Sequence, residues 1–528
     1  MAEAPPAPAA ADAGARRAAS FVAGGIFVSR LIGFVRDRLF AHFFGSSAAA
    51  DAFNAAVKIP NVLRNLLGEG ALSASFIPVY SAALERADER EARALANTVL
   101  GILLLVTSGL TVIGIAAAPA ITALVATGFD PARAALTTRL VRVLFPMSAL
   151  MVLSGWCLGI QNSHRRFFNA YASAALWSLA QIVLLVWWGA RAGSLERLAW
   201  WLAWATLAGS ILQILAQLPQ VLPLVRPLRP RVSLDVPGVR ETLGNFVPVV
   251  TALGLFQISS LIDLQIAAWL PTGSVANLGY ATRLYMVPIA LFGISVAAAS
   301  LPEFSRESGA AREALLERLR AGWVRILFYI IPTTVAFLLY GDLIIAVLYR
   351  SGRFGADEQR LVHLILAAYA LGLVGFSSVK LLASAYYALQ DYRTPLRAAG
   401  VALLCGTLAS VGIALPLRHS PVGAAGLAVG ASLGAYVNLA ILRRGLHRTL
   451  GPLYTAAMWQ GTWRIVLATG IAAGVALPVR WVLRSANVFV AAVAILPLFG
   501  VVYLVSAHLR GSQEATRWLR RLPLGPRR

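Results

Sequence analysis

Apolar runs of about twenty residues recur from one end of the chain to the other, and nothing else in the sequence limits the fold as tightly. Twenty helical residues at 1.5 Å each cross a hydrocarbon core about 30 Å thick. About fourteen such spans can be read: 18–44, 49–82, 97–126, 137–162, 167–190, 197–220, 238–270, 273–304, 322–341, 360–389, 395–416, 421–442, 460–482 and 487–508. Charged residues make up 13% of the chain, against about 25% in a soluble domain. The expected fold is therefore an all-α membrane protein.

The charges between these spans alternate. One set of connections holds about 27 arginines, from Arg16 and Arg17 through Arg226, Arg229 and Arg231 to the cluster after Arg510; the opposite set holds about 10. The positive-inside rule then places both termini in the cytoplasm. The net charge of +23 is accounted for by this topogenic set facing anionic headgroups, and it does not indicate nucleic acid. Cys157 and Cys405 lie inside spans and define no disulfide framework. Residues 1–15 are Ala/Pro-rich and are expected to be a disordered cytoplasmic tail, and 511–528 a cytoplasmic C-terminal tail. Ala311–Arg320 is amphipathic and suits a short interfacial helix.

Two halves of the sequence can be superposed. Gly45-Ser46 matches Gly273-Ser274, Pro60 matches Pro288, Pro78 matches Pro302, and Gln161-Asn162 matches Gln390-Asp391. The offset stays near 228 residues and spans six helices, so the halves share one orientation. The expected architecture is an N-lobe at 16–222 and a C-lobe at 236–445, each of six helices, related by a parallel pseudo-repeat. Two further C-terminal helices occupy 455–510.

The first two spans carry charges that packing does not require: Arg30, Arg36, Asp37, Arg38, Asp51, Lys58, Arg64 and Glu69. A charge at the bilayer centre costs about 2.5–3.5 kcal/mol on insertion scales. Asp51, Asn54, Lys58, Asn61 and Asn65 fall at helical spacing on one stripe. That stripe is either a hydrogen-bonded seam between helices or the wall of a water-filled cavity, and the ions in it favour the cavity. Asp37 can hold a guanidinium while Arg36 stays open to a ligand. In the second half Arg283 stands alone in its span; either Asp263 pairs with it or an anionic ligand does. Arginine suits an anion because its fork bonds two phosphate oxygens and stays protonated when partly desolvated.

From Ser29 to Leu84 the run SRLIGFVRDRLFAHFFGSSAAADAFNAAVKIPNVLRNLLGEGALSASFIPVYSAAL closely resembles the MurJ/MviN family of lipid II flippases. A second signature, from Leu270 to Arg306, is similar to the same family's eighth helix. The resemblance implies the fold of the multidrug/oligosaccharidyl-lipid/polysaccharide exporters, with the two extra helices forming a groove for a polyprenyl tail. It implies a transporter rather than an enzyme, acting by alternating access on lipid II, an undecaprenyl-pyrophosphate-linked disaccharide-peptide, in the bacterial inner membrane. The family's cavity arginines fall at Arg30, Arg36, Arg64 and Arg283, and its acidic partners at Asp37 and Asp51; Lys58 and Glu69 occupy motif positions. Many relatives carry a second basic residue where this chain has Asn65. No cofactor is implied; a coupling ion or the membrane potential is left open. A monomer among membrane lipids is expected, with other cell-wall synthesis proteins as candidate partners.

Two alternatives keep the fold and change the cargo: a flippase for another polyprenyl-linked oligosaccharide, or a cation/drug antiporter. A membrane-embedded prenyl-phosphate enzyme is a third reading. It would need a carboxylate cluster for metal or a catalytic histidine, and the six histidines are isolated.

Overall fold

The computed structural model describes residues 8–297 and 312–521, with the side chains at 8–23, 26, 69, 252, 255, 256, 312 and 521 outside the description. The described residues form helices joined by short connections, with no strand among them. They divide into two compact units, Met1–Gln265 and Ile266–Arg528.

The first unit runs through α1 (Pro8–Phe44), α2 (Ala48–Leu67), α3 (Glu69–Glu85), α4 (Glu89–Ala116), α5 (Ala118–Val125) and α6 (Pro131–Ser163). It continues with α7 (Phe167–Ala172), α8 (Ala174–Trp188), α9 (Leu195–Val225) and most of α10 (Val239–Ala268). Side-chain caps set the starts. Ser47 accepts from Ala50 N–H at 3.2 Å, Asp88 from Glu91 at 2.8 Å, and Asp130 from Arg133 at 3.0 Å with Pro131 following it. Gly68 breaks α2 from α3 while its N–H still bonds the Arg64 carbonyl at 2.9 Å. The core forms where α3, α4, α6 and α9 bury Phe76, Tyr80, Leu95, Trp156, Ile160 and Val221 together. Trp156 satisfies its indole N–H on the Ala96 carbonyl at 3.2 Å.

The second unit holds α11 (Ser274–Pro288), continued by a π-helical turn at Ile289–Ile294, then α12 (Arg312–Tyr349), α13 (Ala356–Ala388) and α14 (Arg393–Ala414). It ends with α15 (Gly423–Leu450), α16 (Ala456–Val482), α17 (Val488–Leu509) and the short α18 (Gln513–Arg521). Helices α14 and α15 meet through small residues, the device by which membrane helices approach closely. A methyl group added at Gly430 would lie 2.4 Å from the Ser410 backbone nitrogen, and one at Gly434 2.8 Å from the Ala402 carbonyl oxygen. Helices α16 and α17 dock on α12, where Tyr340 donates to the Ala473 carbonyl at 3.3 Å and Arg480 meets Asp342 at 2.8 Å.

Eleven helical segments among the described residues are long and apolar enough to cross a membrane. Their outward faces stay apolar, as at Leu105, Val112, Ile211, Leu215, Val493 and Val501. Helices α1, α2 and α10 are not among the eleven, which accounts for the difference from fourteen. In α2 the cause is plain: Asp51, Lys58 and Arg64 fall within twenty residues.

Several sequence expectations change in detail. Helix α1 begins at Pro8, inside the stretch read as a tail; residues 1–7 and 522–528 lie outside the described residues. Residues 312–320 form the first turns of the 38-residue α12 instead of a separate interfacial helix. Helix α10, expected to open the C-lobe, falls mostly within the first unit. Gln161 is buried inside α6, whereas Gln390, its match in the repeat, lies past the end of α13 in left-handed backbone (φ 62°).

Candidate functional site

The charged residues of the first two spans separate into distinct groups. Arg36 does not stay open. Its Nε and Nη2 donate to Asp37 Oδ1 at 3.1 and 2.7 Å, and its guanidinium lies 4.8 Å from the Trp177 ring centroid. Ser178 accepts a longer bond at 3.5 Å. Neighbouring helical residues point in different directions, so it is the length of Arg36 that lets it fold back on Asp37. Asp37 is 6% exposed, and α8 forms the wall against which the pair packs.

Asp51 is 1% exposed and receives Arg133 Nη1 from α6 at 3.2 Å. Arg133 also donates from Nε to Asp130 at 3.0 Å and stacks 4.6 Å from Phe129. Arg133 lies before the 137–162 span read from the sequence, in what would be a connection. The Asp130-Pro131-Ala132-Arg133 run carried a usable signal, because a capping aspartate three residues before an arginine fixes where that arginine starts. The bonds to Arg133 pull the Asp130 carboxyl below its ordinary range, with the backbone bond the largest cause.

Lys58, half-buried in α2, has Asp263 of α10 as its charged neighbour. Asp263, considered above as a counter-ion for Arg283, therefore already faces a cation. Arg283 itself is half-buried in α11, its guanidinium 5.9 Å from the Tyr280 ring centroid, six residues before the π-helical turn begins. Glu69 is the first residue of α3; its side chain lies outside the described residues.

Arg30 and Arg64 come together. Both line one cavity of about 750 Å³ in the first unit, with Asn65, Ser154, Gln213 and Gln257 among its other walls. Asn65, the departure from the family pattern, donates to Gln257 Oε1 at 3.3 Å and so ties α2 to α10. Gln213, on the cavity wall, is not among the residues that the charge pattern singles out. Gln213, Gln217 and Gln220 repeat at helical spacing along α9, a signal visible in the sequence. Ser154 of α6 and Ser173 join two of them in a buried seam. No cluster of three or more metal-ligating side chains occurs among the described residues.

Comparison with known proteins agrees with this architecture. A solved structure described as lipid II flippase MurJ in an inward closed conformation aligns with a TM-score of 0.74 at 23% identity, covering 92% of this chain and 98% of that one. An inward-facing multidrug resistance MATE family transporter of the MOP superfamily aligns at 0.63 and 15% identity, covering 80% and 95%. At these identities the two show the fold alone. In sequence, the lipid II flippase MurJ of Burkholderia cenocepacia is 32% identical over 440 residues, which is 82% of this chain and 84% of that protein. The probable lipid II flippase MurJ of Rhizobium tropici is 30% identical over 510 residues, 93% and 94% of the two chains. The family model described as "Lipid II flippase MurJ" matches residues 40–498, and the chain accordingly belongs to the MurJ family of membrane transporters.

Proposed function

We propose that this protein moves lipid II from the inner to the outer leaflet of the bacterial cytoplasmic membrane by alternating access. The observation that carries the reading is the shared cavity of Arg30 and Arg64, with no carboxylate among its described lining residues. Two guanidinium forks on separate helices suit the two phosphates of a pyrophosphate. A drug or cation antiporter would instead place carboxylates there. The prenyl tail stays in lipid or along α16 and α17 while the headgroup enters the cavity.

The other charged residues have graded parts in this reading. Arg36, shaped by Asp37 and Trp177, Lys58 opposite Asp263, and Arg283 before the π-helical turn are further headgroup contacts. Asp51 acts through Arg133 by fixing the start of α2. Glu69 belongs to the same group by its motif position. The full chain has fourteen spans, α1, α2 with α3, and α10 joining the eleven apolar ones, with both termini in the cytoplasm. Left-handed glycines at Gly45 (φ 53°) and Gly273 (φ 92°), each shortly before a proline-bearing helix, support the six-plus-six repeat. The protein acts as a monomer, driven by the membrane potential or an ion gradient.

The test is complementation. The resident lipid II flippase of a bacterium is depleted, this chain is expressed, and labelled lipid II reaching the outer leaflet is measured. The wild-type chain restores the signal, while Arg64→Ala and Arg30→Ala, inserted to the same level, lose at least about tenfold, the equivalent of one charge-assisted bond pair. A stably inserted wild-type chain that leaves lipid II inside overturns the assignment.

A further inference from the structure

The buried seam between α6 and α9 has a direction, and that direction fixes what it shows to the cavity. It ends on a backbone carbonyl, which can only accept: Ser173 Oγ donates to Ala170 O at 3.3 Å. Ser173 must then accept from Gln217 Nε2, at 3.0 Å. This turns Gln217 Oε1 toward Ser154, whose hydroxyl donates to it at 2.9 Å. Ser154 in turn accepts from Gln213 Nε2 at 2.8 Å. The orientation of each amide thus follows from the chemistry of the end group, independent of how amide atoms are assigned.

One acceptor remains. Gln213 is only 7% exposed, lines the same cavity as Arg30 and Arg64, and has its nitrogen committed to Ser154. Its carbonyl oxygen has no donor among the described residues. An amide oxygen at a cavity wall accepts from a donor, which a sugar supplies as a hydroxyl or an amide N–H, and repels a phosphate. We infer that Gln213, held by the Ser154–Gln217–Ser173 relay, is a specificity-determining residue that reads the glycosyl part of the headgroup while the arginines take the pyrophosphate. This rests on the proposed flippase activity. Its physical basis is asymmetric: a ligand lacking the donor leaves a desolvated acceptor unsatisfied, which discriminates more strongly than an added contact does.

The experiment uses the full chain in lipid nanodiscs and measures Kd for undecaprenyl pyrophosphate, undecaprenyl-pyrophosphate glucose and undecaprenyl-pyrophosphate N-acetylglucosamine. Gln213→Met keeps the side-chain length and removes the acceptor. It weakens binding of the glycosylated lipids by about three- to tenfold and leaves undecaprenyl pyrophosphate unchanged, the range expected for one neutral hydrogen bond. Loss on both glycosylated lipids assigns a hydroxyl donor; loss on N-acetylglucosamine alone assigns the amide N–H. If Gln213→Met does not accumulate, Ser154→Ala, which frees the Gln213 amide to turn, gives a smaller loss of the same selectivity. Equal loss on all three lipids, or loss on none, overturns the inference. A wild-type chain that binds none of the three overturns the flippase reading and this inference with it.

Discussion

At the scale of single residues, two groups carry testable consequences. Asp51 and Arg133 form a buried pair at the starts of α2 and α6. Removing Arg133 takes the bonded guanidinium from a carboxylate that is 1% exposed, and breaking a buried pair of this kind costs about 3–5 kcal/mol. Arg133→Ala should therefore accumulate poorly and melt early in detergent, while Asp51→Asn combined with Arg133→Met recovers part of the loss. An additive double variant would show that the pair is not coupled. His164, just past α6, contacts the Tyr80 hydroxyl at 3.1 Å. Burial holds its imidazole below the ordinary range, Arg166 adds to this and Glu89 opposes it. A depressed folded value means the neutral form fits, so its stabilising share is present above about pH 6.5 and is lost as pH falls through the folded value. The melting temperature should drop between pH 7 and pH 5, and His164→Gln should flatten that part of the curve.

At the scale of elements, the α14/α15 seam depends on its small residues. Gly430→Leu would drive a side chain into the Ser410 backbone, 2.4 Å from even the first added carbon. Overpacking of this kind costs about 1–3 kcal/mol where a neighbour can shift, and a helix backbone shifts little. The expected result is a sharp fall in folded protein, read by size-exclusion profile, whereas Gly470→Ala, where an added methyl meets nothing within 4 Å, is tolerated. Helix α18 is a second element with a definite mooring. Glu514 accepts from Arg325 at 3.0 Å, and Trp518 donates to the Tyr329 hydroxyl at 2.9 Å, with Tyr329 stacked 4.4 Å from Phe292 in the π-helical turn. Trp518→Ala should release α18 to proteolysis while the preceding spans stay resistant.

At the scale of the whole molecule, the proposed alternating access would make the ligand a charge shield. Arg30 and Arg64 share one cavity, and apposing them without an anion is unfavourable; a pyrophosphate that binds one conformation more tightly shifts the population toward it. Spin pairs with one label in each unit should show a changed distance distribution on adding lipid II. An unchanged distribution removes this gating mechanism while leaving the substrate assignment standing.

The sequence alone determined the class of fold and the location of the charged group, because both follow from composition along one dimension. A twenty-residue apolar run permits a membrane helix whatever surrounds it, and arginines such as Arg30 and Arg64 stand out against an apolar background. The GFVRD and KIPN runs carried the family in the same one-dimensional way. Tertiary structure decided which charge meets which. Arg36 turns back on Asp37, Arg133 crosses to Asp51, and Lys58 faces Asp263. Among the described side chains of the predicted group, Arg30 and Arg64 are the two that share the cavity. Pairing depends on distances between helices far apart in the chain, and helical spacing fixes only a face, not the partner that the face meets. The Gln213 relay shows the same division: its spacing is legible in α9, but its direction depends on one carbonyl at Ala170, which only the folded chain brings there.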